Sequence, residues 1–127
     1  MTHVLVATAS VHTTAAACDY LQARLGGDDE VTVLAVAEPT LDERDPGDAT
    51  NVAQTRLVAP TVETLVRDGT PTAEIRAVAG ERGVDEILVG PHRGDPEGRG
   101  EAPGETVRAL IADSQWPVVV VPVPTLE

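Results

Sequence analysis

The chain has 127 residues, a formal net charge of −12, aromatic residues at only 2% and a single cysteine. That length suits one domain, residues 1–127, with one core and no room for a second. The lone Cys18 excludes an internal disulfide or a multi-cysteine metal site, and an acidic chain with almost no stacking side chains argues against binding nucleic acid.

Apolar residues make up 42% of the chain but Phe is absent, so the core must be built from Val, Leu, Ile and Ala. Such a core suits buried parallel strands covered by helices. All nine cations are Arg. An acidic, Lys-free surface argues for a halophilic cytoplasm, where salt screens self-repulsion; an ordinary acidic bacterial protein is the alternative. The N-terminus lacks the basic start and apolar run of a signal peptide, and no apolar stretch approaches membrane-spanning length. A soluble cytoplasmic protein with no membrane partner is therefore expected.

Taken in order, HVLVAT from His3 to Thr8 is a continuous, β-branched apolar run and reads as a central strand buried on both faces. His12, Thr13 and Thr14 offer helix-capping side chains, and Ala17, Leu21 and Leu25 then recur at helical spacing before Gly26 and Gly27 stop the helix. Cys18 lies in the apolar middle of that helix and reads as a buried structural thiol. Val31 to Val36 forms a second strand, ended by Glu38 and Pro39, and a charged loop follows from Thr40 to Gly47. Asp48 to Leu57 predicts a short helix with Asp48 as its cap and Ala53 and Leu57 on one face.

Thr61 to Val66 alternates polar and apolar residues in the manner of an edge strand with one wet face, and Arg67, Asp68 and Gly69 read as the turn after it. Thr70 is placed to cap a helix with Pro71 at its first position, Glu74 in its first turn and Ile75, Val78 and Ala79 as its buried stripe, closed by Gly83.

The last third is a strand (Asp85 to Gly90), a glycine-rich loop carrying Gly94, Gly98, Gly100 and Gly104, a helix opening at Glu105, and the terminal strand WPVVVVP from Trp116 to Pro122. A strand, glycine loop and helix of this kind serve anion binding, because backbone N–H groups and the positive end of the helix converge on a phosphate. Asp95, Glu97, Glu101 and Glu105 in the same loop oppose a phosphate. The helix start can be capped by one of these carboxylates instead. Arg93 and Arg99 could hold a phosphate or pair with the neighbouring carboxylates. His92 reads as a solvated loop residue, since no second His, Cys or Ser is placed to act with it.

These residues resemble the universal stress proteins. That family's nucleotide motif reads Gly, two residues, Gly, nine residues, Gly, then Ser or Thr, followed by a helix and a final strand written Pro-Val-x-Val-Val. Gly94 and Gly104 have the nine-residue spacing, and Trp116 to Pro122 fits the final strand. The segment VETLVRDGTPTAEIRAVAGERGVDEILVG also follows the family's strand, Gly, Pro, helix and strand pattern. The departures lie at the site. Gly90 and Gly94 are separated by three residues, Glu105 stands where a hydroxyl is expected with Thr106 one place late, and Ala9 occupies the place of the family's Asp at the end of the first strand.

The resemblance implies a three-layer α/β/α fold with a five-stranded parallel sheet of order 3-2-1-4-5, of the adenine-nucleotide-hydrolase-like, Rossmann-like kind. It puts a nucleotide crevice at the switch point, lined by Thr8, Ala9, Val36, Gly90, Arg93, Gly94, Gly104, Glu105 and Thr106, with ATP or AMP as ligand. It also implies a homodimer through the last strand, Val118, Val119, Val120 and Val121; the alternative is a C-terminal tail folded over that edge. The expectation is a non-enzymatic, dimeric stress-response or regulatory module whose nucleotide site is degenerate and holds no cofactor. The second reading is a genuine ATP- or AMP-binding protein using the loop 90–106. An enzyme of the wider group would need a phosphate loop near the first strand, and Ala9, Ser10 and Val11 do not supply one.

Overall fold

The most apolar runs of the sequence become the middle of a parallel sheet. The computed structural model describes residues 2–8, 11–37, 53, 56–57, 60–90, 105–112 and 115–122. In chain order these give β1 (His3–Thr8), α1 (Val11–Gln22), β2 (Glu30–Ala37), β3 (Thr61–Asp68), α2 (Pro71–Arg82), β4 (Glu86–Val89), α3 (Glu105–Ala112) and β5 (Val118–Val120). All five strands run parallel in the order β3-β2-β1-β4-β5, as expected from the sequence.

Side chains alternate across the sheet and divide the core into two halves. Val4 and Val6 of β1, Val31 and Val33 of β2 and Leu88 of β4 pack against Ala16, Ala17, Cys18 and Leu21 of α1, together with Ala53 and Leu57. Leu5, Leu34, Ile87 and Val89 point the other way, against Ile75, Val78 and Ala79 of α2 and Val107 and Leu110 of α3. Three layers result. The predicted helix over 48–57 is described only in part: the Leu57 N–H donates to the Ala53 carbonyl at 3.0 Å, and both side chains are buried. Its cap, Asp48, lies outside the described residues.

Two helix starts differ from expectation. Thr70 occupies the position before α2 with extended backbone, but its side chain makes no capping hydrogen bond; Pro71 in the first turn sets the helix instead. Thr13 and Thr14 are inside α1, which already begins at Val11, and both are buried. The end of α2 is as predicted. Gly83 adopts φ 63° and ψ 44°, and its N–H and that of Val84 both reach the Ala79 carbonyl, at 3.0 and 3.3 Å.

The edge strand β3 also differs. It continues through Arg67 and Asp68, which pair with Val36 and Ala37, and the turn falls at Gly69 with φ 139°. Nor does it have one wet face. Val62 packs into the α1 half of the core and Leu65 into the α2 half, so each face is partly covered. Arg67 clamps β3 to α2 through a two-point ion pair with Glu81, at 2.8 and 3.1 Å, and Arg82 returns the contact to Glu63 at 3.2 Å.

The start of the sheet is fastened by backbone groups. The Asp29 carboxylate accepts the N–H groups of Gly26, at 2.8 Å, and Thr2, at 2.7 Å, which hold it below the usual carboxylate range. Because its folded pKa is depressed, this stabilisation is present above the unfolded value of about 4 and is lost as pH falls through the folded value. Asp29→Asn is therefore expected to be less stable than wild type at neutral pH, with the gap closing below about pH 4 in urea denaturation series. In the core, Leu5 is 0% exposed on the central strand. Leu5→Ala should lower the unfolding free energy by about 2–5 kcal/mol in the same assay.

Candidate functional site

β1 and β4 are neighbours, with Ala7 opposite Val89, so Thr8 and Gly90 are the next residues on two adjacent strand ends. From Thr8 the chain crosses to β2 by way of α1 on one face of the sheet. From β4 it crosses to β5 by way of α3 on the other. Crossovers that diverge in this way leave a crevice at the carboxyl ends of the strands, where ligands of open parallel sheets bind. Because both helices return antiparallel to the strands, α1 and α3 each present their N-terminal turn at this end.

The sequence-predicted residues distribute around this crevice unevenly. Thr8 and Gly90 are both buried at its floor. The Thr8 side chain turns to the α1 face, where the Thr14 hydroxyl donates to its Oγ1 at 2.8 Å. Val36, half-buried near the end of β2, packs into the opposite half of the core, with α2 and α3. The side chains of Thr8 and Val36 are thus not brought together. Glu105 is the first residue of α3, and Thr106, half-buried, follows it in the first turn. Ala9, Arg93, Gly94 and Gly104 lie outside the described residues.

Sequence reasoning did not find the pairing of Thr14 with Thr8. The spacing of six residues across a strand-to-helix connection carries no periodic signal, and two threonines near a helix start read most simply as caps. The pair is buried between β1 and α1, with Thr14 at 0% exposure. It joins the floor of the crevice to one of the helices that frame it.

At the opposite end of the sheet, a shallow groove of about 460 Å³ runs between the first residues of β1, β2 and β3 and the end of α2. The His3 ring lies 2.7 Å from Thr32 Oγ1 and 3.6 Å from the Glu30 carboxylate, and Glu63 and Arg82 close the far side as an ion pair. These groups mostly satisfy one another. Among the described residues no group of three His, Cys, Asp or Glu side chains is placed to hold a metal ion. Cys18 is buried against the sheet, and desolvation pushes its thiol up to about 11, consistent with the structural role expected for it.

The family model for the universal stress protein family matches residues 41–122, well over half of the chain and the part containing β3, α2, β4, α3 and β5. The chain belongs to the universal stress protein family. Similar solved structures cover nearly all of it. Hypothetical protein MJ0577 is 24% identical with a TM-score of 0.77, over 95% of each chain. A universal stress protein in complex with cAMP is 18% identical with a TM-score of 0.66, covering 96% of this chain and 97% of its own. A universal stress protein family protein from Arabidopsis thaliana with AMP bound is 14% identical with a TM-score of 0.65, covering 96% of this chain and 92% of its own. No curated protein matches the chain. Among the described residues of this universal stress protein, no helix is long and apolar enough to cross a membrane.

Thr14→Val keeps the shape of the side chain and removes the hydroxyl. It should cost about 1 kcal/mol of stability in chemical denaturation, the typical value of a buried hydrogen bond, with the helical content unchanged by circular dichroism.

Proposed function

We propose that this universal stress protein is a non-enzymatic stress-response or regulatory module that works through its surface and its assembly, with an adenine-nucleotide site weakened at the switch point. The observation that carries this reading is the chemistry at the end of the central strand. Ala9 offers no carboxylate there, and the hydroxyl of Thr8 is engaged by α1. The phosphate loop carries Asp95, Glu97 and Glu101, with Glu105 in the place of a hydroxyl. Each of these carboxylates repels a phosphate, and Arg93 and Arg99 are outnumbered. The homodimer through Val118 to Val121 belongs to the same reading: Val120 is 38% exposed on β5, the last strand of the sheet, and Ile111 of α3, which packs beside β5, is 57% exposed.

A second reading is a true ATP or AMP binder. Similar proteins carry cAMP and AMP, and the nine residues between Gly94 and Gly104 keep the family's spacing. Calorimetric titration of the purified chain with ATP, AMP and cAMP in the presence of Mg²⁺ separates the two. On the first reading the native chain gives no binding heat at micromolar concentrations, and Ala9→Asp combined with Glu105→Ser raises affinity at least tenfold. Micromolar affinity of the native chain, changed little by that double substitution, would establish the second.

A further inference from the structure

We propose that the outer edge of β3 is a self-association surface, where β3 of a second copy adds antiparallel. β3 ends the sheet, is eight residues long, and pairs along its whole length with β2 on its inner side. Among the described residues no strand pairs with its outer side. The crossover from β2 to β3 places Ala53 and Leu57 over the α1 face, not along that edge. An edge of this length presents a row of unpaired backbone groups that can template a further strand.

The hydrogen-bond phase of β3 fixes how a second copy can meet it. The Thr61 N–H donates to the Asp29 carbonyl at 3.0 Å, so Thr61, Glu63, Leu65 and Arg67 turn their backbone groups toward β2. Thr64 and Val66 turn theirs outward. Two antiparallel copies must therefore align outward-facing residues with each other, and only a few two-fold registers satisfy this. One of them places Thr64 opposite Val66 and Leu65 on the two-fold axis. The same register sets Glu63 opposite Arg67 of the second copy, twice, in the non-hydrogen-bonded positions where side chains approach most closely.

The charges then alternate in a row. Arg82 already lies 3.2 Å from Glu63, and Arg67 already lies 2.8 Å from Glu81. Across the junction the order becomes Arg82, Glu63, Arg67 of the second copy, Glu81 of the second copy. On the other face Val66, 49% exposed on the strand, is covered by the second copy's Thr64. The long-range repulsion between two chains of charge −12 opposes the contact, so it forms best where salt screens it. This edge is separate from β5, and its use does not depend on whether β5 also pairs.

Sedimentation velocity in molar KCl tests the proposal. Thr64→Pro removes an outward N–H and leaves the pairing of β3 with β2 intact, and Val120→Pro does the same for the outer edge of β5. The expected result is that Thr64→Pro lowers the mass of the wild-type assembly, to that of one chain if β3 alone pairs or to that of the β5-paired dimer if both edges pair. Glu63→Arg and Arg67→Glu should each lower it in the same way, and the two together should restore it, a rescue that loss of the internal ion pairs alone would not produce. Hydrogen exchange on the unmodified chain gives an independent readout: the amides of Thr64 and Val66 should slow at least tenfold as concentration rises through the association range. The proposal is overturned if the wild type sediments at the 13.2 kDa of one chain. It is equally overturned if only Val120→Pro lowers the mass, or if exchange at Thr64 and Val66 is independent of concentration.

Discussion

The burial of β1 on both faces is the constraint from which the rest follows. Val4 and Val6 fill one half of the core and Leu5 the other, all at 0–1% exposure. A strand with no wet face must be covered by a layer on each side, and in a parallel sheet those layers are the crossover helices. Because β1 is flanked by β2 on one side and β4 on the other, the crossovers leave in opposite directions. The crevice between Thr8 and Gly90 is a geometric consequence of that divergence. The sheet would create it whether or not a nucleotide occupied it.

Most of this architecture could be read from the sequence because its signals are unambiguous in kind. His3 to Thr8 is too apolar and too β-branched for a surface element, and Gly83 stops α2 where its left-handed conformation demands a glycine. The misreadings share one cause: polar residues were assigned by local chemistry and placed by tertiary contact. Arg67 and Asp68 look like a turn, yet they extend β3, because Arg67 has Glu81 of α2 as an ion-pair partner. Thr13 and Thr14 look like caps, yet they are buried, and Thr14 spends its proton on Thr8. In the site, the glycine spacing was legible as a motif. Which face each flanking side chain takes was not, because strand phase relative to the two helical layers is set by pairing register.

The electrostatics of the chain follow a similar division between what is buried and what is exposed. The core of Val, Leu, Ile and Ala has no large aromatic residue to anchor it, and its two partly buried aromatics, Tyr20 and Trp116, sit at its margins. Charged groups therefore take up part of the fastening between layers. Arg67 and Arg82 tie α2 to β3, Arg56 reaches Asp19 at 3.3 Å, and Arg76 donates to the Ala109 carbonyl at 3.1 Å, holding α2 against α3. Such exposed pairs individually contribute little. Arg suits them because its planar fork can engage two oxygens at once, as it does with Glu81, which a Lys in the same place could not reproduce.

The two edges of the sheet carry opposite solutions to the same problem. β5 is only three residues long and lies between Pro117 and Pro122, which limits how many backbone groups it can offer a partner. β3 is eight residues long, and its defence is charge: Glu63, Arg67 and Asp68 sit on the strand itself. A run of one sign would repel a second copy, but here Glu63 and Arg67 lie symmetrically about Leu65, so these two charges match their own antiparallel image, with Asp68 falling opposite Val62. Charge that guards an edge against unrelated strands can in this way select the one strand that carries the complementary order.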